Sequence, residues 1–298
     1  EMWIEKSGDV KRIELPILSR DFLRRLAGLV AGATHQKITE KTPLLSATLP
    51  KGHRVQFVLP PACPADRVIV SIRRQAVMDL SLSDYEDSGF FDGPSTDGDV
   101  QADNHTLAEL KQAGRYPEFF KEAVRAKKTL LISGGCSTGK TTFLNMLLSL
   151  MSDKERIITI EDAQEVRLKQ PNHVSLLYSR NDQGISDVSP QMLVETSLRL
   201  RPDRILMSEL RGEEAYYFLR AANTGHEGSM STLHADSPAM ALKQLSFMCM
   251  QSGLPINHAE LLEYISTVLD VVAQIKLDHT GRRYLSDVWF RKDGEWIK

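Results

Sequence analysis

Cysteine is scarce in this chain of 298 residues: the three that occur are Cys63, Cys136 and Cys249. They are odd in number, far apart and never spaced as C-x-x-C, which argues against a disulfide framework and a cysteine-based zinc site. This usage is typical of a protein of the reducing cytosol. No apolar run approaches the roughly 20 residues that a membrane span requires. No basic-then-apolar signal pattern follows Glu1, and the missing initial Met suggests a trimmed start.

A strong excess of charge of either sign is also absent. Lys and Arg number 37, and Asp and Glu number 39, for a net charge of -2. Any contact with nucleic acid or an anionic membrane must therefore depend on a local patch. With 42% hydrophobic and 26% charged residues, the composition predicts a globular protein with a sizeable core. At roughly 100–200 residues per domain, the length predicts two domains or three.

The first 74 residues combine strand-like runs with one amphipathic stretch, residues 21–33. Apolar side chains recur there at helical spacing. They are Phe22, Leu23, Leu26, Leu29 and Val30. The strand-like runs cover residues 2–5, 54–59 and 67–72. This mixture predicts a small α+β domain.

The composition changes over residues 81–105, which contain seven acidic residues and no Lys or Arg. Such a run predicts a solvated acidic connector. From Lys127 onward, apolar strand-like runs alternate with longer helical patterns, as in a wound α/β domain. We therefore predict an N-terminal α+β domain with the connector over residues 1–106, a linker helix over 107–127 and a C-terminal α/β domain over 128–298.

The most specific motif is G-G-C-S-T-G-K-T-T, between an apolar run at 129–133 and a helical pattern at 143–151. It matches the phosphate-binding P-loop in its strand–loop–helix context, whereas the alternative is a chance glycine-rich turn. Lys140 would contact the β- and γ-phosphates, and the Thr141 hydroxyl would bind Mg²⁺. Cys136 fills the loop rather than acting as a nucleophile, since no His stands beside it. The predicted nucleotide-binding residues are Gly134, Gly135, Cys136, Ser137, Thr138, Gly139, Lys140, Thr141 and Thr142.

Two acids follow strand-like runs downstream of the P-loop. Glu161 stands 21 residues after Lys140, and Glu209 stands 69 residues after it. The carboxyl ends of parallel strands open onto one crevice, so both acids can face one nucleotide, although each alone could be a surface acid. We assign Mg²⁺ binding and water activation to these two glutamates between them. Glu209 is the candidate that polarises the attacking water.

A segment rich in glycine, hydroxyl and histidine residues covers 224–235. A lone histidine is more often a structural residue with its hydrogen bonds satisfied. For His234, which follows a strand-like run, we favour a role in sensing the phosphate. For His226 the structural and the phosphate-sensing roles both remain open.

These motifs together resemble the secretion ATPase superfamily of type II and type IV secretion and pilus motors. The resemblance rests on the P-loop, the acidic pair Glu161-Asp162, the Arg201-Pro202-Asp203 turn, the run from Glu209 to Ala215 and the box 232–235 ending His234-Ala235. Within the superfamily the chain is most similar to the hexameric traffic ATPases of bacterial type IV secretion, of the VirB eleventh-component type. The resemblance extends to the N-terminal domain through residues 44–49, 54–61 and 72–74.

Several features separate the chain from neighbouring groups of the superfamily. Type II motors usually carry a four-cysteine zinc module, which three scattered cysteines cannot form. Pilus motors usually have Arg-Asp after the catalytic glutamate, where this chain has Arg211-Gly212. The chain also departs from the pattern of the family that it resembles: Ser208 stands where Gly is common, Glu227 stands where Pro is frequent, and Cys136 to Thr138 alter the usual loop. These departures concern the fine geometry of the site and not nucleotide binding.

The resemblance implies a RecA-like C-terminal domain, ATP and Mg²⁺, and a homohexamer with each nucleotide between an N-terminal and a C-terminal domain. It implies ATP hydrolysis that powers channel or pilus assembly or substrate translocation. It also implies a cytoplasmic protein peripheral to the inner membrane, with inner-membrane channel components as partners and no specific nucleic acid. Arg54 and Arg73 match N-domain arginines that reach the γ-phosphate; the alternative is that they form surface ion pairs.

Two other functions remain as alternatives. A nucleic-acid motor would share the RecA-like core, but the near-neutral charge and the lack of a basic, aromatic-interleaved stripe weigh against it. A nucleotide-gated scaffold would bind ATP and barely hydrolyse it. The sequence leaves open the cargo, the docking partners, the order of hydrolysis around the ring, which C-domain an N-domain contacts, and which of Arg199, Arg201 and Arg211 acts at the site.

Overall fold

The computed structural model describes residues 1–6, 8–74, 82–87, 104–179 and 184–291. Most of the predicted acidic connector, residues 81 and 88–103, lies outside the described residues. Within the described residues, no helix is long and apolar enough to cross a membrane.

The N-terminal part contains a β-hairpin, a helix and a three-stranded antiparallel sheet. Its elements are β1 (Met2–Lys6), β2 (Asp9–Ile13), α1 (Arg20–Ala33), β3 (Leu44–Thr48), β4 (Arg54–Val58) and β5 (Ile69–Arg73). The Ser19 side chain accepts a hydrogen bond from the Phe22 N–H and caps α1. Helix α1 packs on the sheet through Ala27, Val30 and Ala31. The predicted helix and strand runs are confirmed to within a few residues.

Between the N-terminal sheet and the C-terminal sheet, the described residues form the helices α2 (Leu82–Asp87), α3 (Asn104–Gln112) and α4 (Tyr116–Arg125). Helix α3 crosses the position where the sequence analysis ends the N-terminal domain. The predicted linker segment thus contains most of α3 and all of α4. Helix α4 buries Phe119 and Phe120 in the core of the C-terminal domain.

The C-terminal part is a seven-stranded sheet with the order β12-β11-β6-β10-β9-β7-β8. Its strands are β6 (Leu130–Gly134), β7 (Ile157–Glu161), β8 (His173–Leu177), β9 (Arg204–Met207), β10 (Met230–Leu233), β11 (Val271–Leu277) and β12 (Arg283–Phe290). Its helices are α5 (Lys140–Leu148), α6 (Pro190–Ser197), α7 (Glu214–Ala222), α8 (Pro238–Met250) and α9 (His258–Val268). The strands pair in parallel except β11 with β12.

Both faces of this sheet are covered, which explains why its central strands β6 and β7 are buried along their whole length and are mainly apolar. On β6, Leu130 and Ile132 pack toward α4 and α5, whereas Leu131 packs toward α6 to α9. This alternation is the period of a β-strand buried on both sides. The predicted wound α/β domain is therefore confirmed.

The two parts are joined at β8, the edge strand of the large sheet. Val58, Ala62 and Cys63 belong to the same buried cluster as the helices of the C-terminal domain. The Leu177 N–H donates to the Ala62 carbonyl at 2.9 Å. The N-terminal sheet thus packs on the C-terminal domain of its own chain.

Candidate active site

The P-loop connects β6 to α5. Gly134 ends the strand, and a Cβ there would lie 2.6 Å from the Ile275 carbonyl oxygen of β11. Gly139 caps α5 with a φ of 91°, in the left-handed region that favours glycine. Helix α5 begins at Lys140, three residues before the predicted helical pattern. Lys140, Thr141 and Thr142 therefore lie in its first turn, where backbone N–H groups lack intrahelical acceptors and attract phosphate.

Lys140 is buried within the loop that it follows. Its Nζ donates to the Gly134 and Gly135 carbonyls at 3.0 and 2.9 Å. The same atom lies 3.3 Å from Nδ1 of His234. Burial lowers the pKa of Lys140, and the nearby Glu209 carboxylate opposes that shift. The ammonium is thus held by neutral acceptors at the place where a P-loop binds phosphate.

Glu209 and His234 meet Lys140 in one line of contacts. His234 follows β10, and its Nε2 lies 2.7 Å from Oε1 of Glu209. The Arg211 guanidinium contacts the other carboxylate oxygen of Glu209. Because an ammonium only donates, the Nδ1 of His234 accepts from Lys140 and the ring hydrogen lies on Nε2. The approach of Nε2 to Oε1 of Glu209 is a close contact without hydrogen-bond geometry, because this oxygen has no hydrogen-bond partner among the described residues. The structure thus brings together three residues that the sequence analysis assigned to the site.

Glu161 is turned into the protein. Its Oε1 accepts a hydrogen bond from the Thr159 hydroxyl, and its Oε2 accepts from the backbone N–H groups of Glu165 and Val166, all at 2.8 Å. Burial raises the pKa of this carboxyl, and the three hydrogen bonds act in the opposite direction. Both oxygens are therefore engaged with protein donors, and the metal-binding role of Glu161 stays a prediction.

Glu165 is a site residue that the sequence analysis missed. Its Oε2 lies 3.4 Å from the Thr141 hydroxyl, and its side chain is exposed. Asn145 of α5 holds this loop, since its side chain donates to the Glu165 carbonyl and accepts from the Arg167 N–H. The available signal was a second acid four residues after Glu161.

The geometry also tests the fit of a metal at Thr141. Among the described residues there is no group of three or more His, Cys, Asp or Glu side chains that could hold a metal. A hydroxyl and a carboxylate side by side are nevertheless the hard oxygen donors that Mg²⁺ prefers beside substrate phosphates. Thr141 and Glu165 therefore fit an ion that is shared with a nucleotide.

His226 lies at the opposite end of the sheet from the P-loop. Its ring forms a hydrogen bond with the backbone of Pro202, which precedes β9. His226 in turn precedes β10 in the chain, so both residues lie at the amino ends of their strands. Burial lowers its pKa. The P-loop follows the carboxyl end of β6, so the structure favours the structural role for His226 and not the phosphate-sensing one.

Arg54 and Arg73 are directly opposite each other in the β4–β5 ladder. Both side chains are exposed, and neither forms an ion pair with a residue that the structure describes. Like charges directly opposite destabilise a sheet unless an anion lies between them. Val58, at the other end of β4, lies at the junction with the C-terminal domain. It is about 13 Å from Arg54 along the strand, at roughly 3.3 Å per residue.

The three arginines whose roles the sequence left open are now separated. Arg199 donates to the Glu195 carbonyl. Arg201 pairs with Glu5 and with Asp203, at the amino end of β9. Among these three, Arg211 alone contacts Glu209 in the described structure.

A parallel sheet with a P-loop after β6, and with a glutamate and a histidine after the neighbouring strands, defines a P-loop nucleotide-binding protein. The family described as type II/IV secretion system protein matches residues 100–282, so the chain belongs to that family. Both the resemblance seen in the sequence and the predicted RecA-like fold class, with its additional N-terminal domain, are thereby confirmed.

Individual relatives match most of the chain. It is 37% identical over 280 residues to the type IV secretion system protein VirB11 of Bartonella quintana, covering 89% of this chain and 79% of that one. It is 38% identical over 298 residues to PtlH of Bordetella pertussis, covering 98% and 87%. The crystal structure of the VirB11 ATPase from Brucella suis, in complex with sulphate, superposes with a TM-score of 0.89 at 33% identity, covering 97% and 85%.

Proposed function

We propose that this chain is an ATP-hydrolysing motor of a type IV secretion system. The observation that carries the proposal is the line of contacts from Lys140 through His234 to Glu209, at the end of one parallel sheet. The similarity to type IV secretion proteins, one of them an ATPase that binds the tetrahedral anion sulphate, supports it.

In this proposal the P-loop and Lys140 bind the phosphates of ATP. The loop N–H groups and the ammonium neutralise the β- and γ-phosphates. Thr141 holds Mg²⁺ together with the nucleotide, and Mg²⁺ supplies charge neutralisation in the transition state. Glu165 faces Thr141 and is the acid best placed to support that ion. Glu161 shapes the loop that carries Glu165, and its predicted direct role at the metal is the alternative.

Glu209 acts on the attacking water. Its two carboxylate oxygens lie against His234 and Arg211. When Lys140 turns to the γ-phosphate, the Nδ1 of His234 loses its donor, so the ring can respond to the presence of that phosphate. Glu209 then orients water and accepts its proton. His234 is thus the sensor, and Arg211 restrains the carboxylate between turnovers.

Arg54 and Arg73 would bind the γ-phosphate across the domain interface. The two opposed arginines form no ion pair within the described residues and place two positive charges side by side where an anion would bind, which supports this role over surface ion pairs. The contact exists with ATP and is lost after hydrolysis, so the difference would drive domain movement. Because the arginines lie away from their own domain junction, a closing movement or a neighbouring subunit must bring the phosphate to them.

We infer a homohexameric ring formed by heterologous contacts, cytoplasmic and peripheral to the inner membrane, with inner-membrane channel components as partners. The similarity to proteins of type IV secretion systems supports this setting. The near-neutral net charge supports the absence of a specific nucleic-acid partner.

Lys140→Ala tests the assignment of the active site. We expect ATP turnover to fall to background, because the charge on the β- and γ-phosphates is removed. Phosphate release is measured beside Lys154→Ala, an exposed lysine outside the site, as the matched control. Turnover at the wild-type rate in Lys140→Ala would contradict the assignment of the active site. Turnover at background level in the wild type itself would favour the nucleotide-gated scaffold.

A further inference from the structure

The hairpin of β11 and β12 reaches past the end of β6 toward the P-loop. Strand β11 pairs with β6 as far as Ile275, which lies opposite Gly134. It then continues to Leu277, which pairs with Arg283 of β12. The tip of the hairpin therefore lies beside the loop that follows Gly134.

Arg283 contacts the P-loop from this hairpin. Its Nε donates to the Ser137 carbonyl at 3.2 Å. A Cβ on Gly139 would lie 2.9 Å from Cδ of Arg283 and 3.3 Å from Nε. The arginine side chain thus lies directly against the residue that caps α5. The positive φ of Gly139 favours glycine at this position, whereas the exposed arginine could move away from a larger side chain.

Most of the hydrogen-bonding capacity of Arg283 is left over. A guanidinium carries five N–H donors in a planar fork, and only the Nε donor has a partner within the described part of the chain. The side chain is exposed. A permanently charged fork of this kind matches phosphate oxygens in geometry.

The sheet order separates Arg283 from the hydrolytic residues. Glu209 and His234 follow β9 and β10, on one side of β6, whereas Arg283 comes from β11 and β12 on the other. It is also the first residue beyond the stretch that the secretion family matches. Arg283 therefore contacts the P-loop from the side of β6 opposite to that of Glu209 and His234.

We infer that Arg283 is a nucleotide-binding residue that contacts the phosphates of bound ADP or ATP and sets affinity for both, without acting in hydrolysis. The inference rests on the proposed function. A residue with this role affects binding of substrate and transition state equally, so its loss raises KM and leaves kcat nearly unchanged.

Arg283→Gln and Arg283→Lys separate the charge from the contact with the loop. Gln retains a donor for the Ser137 carbonyl but has no charge, whereas Lys retains the charge. We expect Gln to weaken ADP binding, measured by calorimetry, by about tenfold, the effect of losing one charged hydrogen bond. KM for ATP rises to the same extent, kcat stays within about twofold, and Lys restores part of the affinity. The matched control is Arg282→Ala, the neighbouring exposed arginine.

ADP affinity at the wild-type level in Arg283→Gln would overturn the inference, as would full rescue by Gln of a defect seen in Arg283→Ala. A fall in kcat at unchanged affinity would overturn it as well. Thermal unfolding without nucleotide verifies that each variant is folded. Lys140→Ala in the same assay distinguishes the two claims: if it loses ADP binding while Arg283→Gln keeps it, the proposed function stands and the inference fails. If the wild type does not bind ADP, the proposed function fails.

Discussion

At the scale of single residues, the site depends on side chains that reach one point from separate strand ends. Lys140, His234 and Glu209 were predictable, because a glycine-rich loop and polar residues directly after apolar strands are local signals. Glu165 was not, because its position depends on Glu161 turning inward to bind the backbone of the following loop. That choice between two nearby acids is made by tertiary packing.

We predict that Glu165→Gln raises the Mg²⁺ concentration needed for turnover, and that Glu161→Gln raises it less. Nucleotide affinity measured without Mg²⁺ should change little in Glu165→Gln. The reason is that the Glu165 carboxylate lies beside Thr141, whereas that of Glu161 is enclosed. Turnover is measured across a Mg²⁺ titration for both variants. If Glu161→Gln shifts the titration and Glu165→Gln does not, the roles must be exchanged as the sequence alone suggested. If neither moves it, both acids are remote from the ion.

At the scale of secondary-structure elements, the core strands were predictable and the hairpin at their edge was not. Strands β6, β7 and β9 appear in the sequence as short apolar runs that precede a glycine or an acid. The alignment of β11 and β12 beside the P-loop depends on pairing with β6, which is distant in sequence. A local sequence pattern does not contain that register, so the contact of Arg283 with the P-loop could not be predicted from the sequence.

Arg204 connects three elements by a buried ion pair. Its guanidinium pairs with Glu155 at 2.7 and 2.9 Å and donates to the Val124 carbonyl at the end of α4. It also donates to Gly228, ahead of β10. The arginine thus fixes the amino end of the sheet while the site occupies the carboxyl end.

We expect Glu155→Gln to lower the free energy of unfolding by about 3 kcal/mol, because it leaves a buried charge without its partner. Urea denaturation measures the change. The control is Glu118→Gln, which removes an exposed pair with Arg115 and is expected to leave stability unchanged. Equal midpoints for Glu155→Gln and the wild type would mean that the Arg204 pair adds nothing to stability.

In the proposed mechanism, the opposed arginines of β4 and β5 couple ATP hydrolysis to the N-terminal sheet. We predict that Arg73→Ala, and more weakly Arg54→Ala, reduces ATP turnover by on the order of 10-fold or more, as for the loss of an arginine finger. ADP affinity should not fall, because ADP lacks the γ-phosphate. ATP turnover and ADP binding are measured side by side. Unchanged turnover in both variants would return the two residues to ordinary surface arginines.

At the scale of the whole molecule, the N-terminal sheet is attached at β8 and leaves its arginines at the far end. The Ala62 to Leu177 hydrogen bond and the cluster that contains Val58 fix one end of this sheet. The length predicted two domains or three but contained no information on this attachment, since the contacts join residues more than a hundred positions apart. These arginines can therefore reach a nucleotide bound at the P-loop only if a neighbouring copy of the chain brings it to them, or if the two domains of one chain close.

Native mass spectrometry of Glu209→Gln with ATP and Mg²⁺ tests the central claim most directly, because it reports subunit number and bound nucleotide together. An amide fills the space of the carboxylate but accepts a proton poorly, so the variant should bind ATP and hydrolyse it very slowly. We predict a six-subunit species that carries ATP, whereas the wild type under the same conditions carries ADP. A monomer or dimer under all conditions, or ADP in the variant at the wild-type level, would contradict the account.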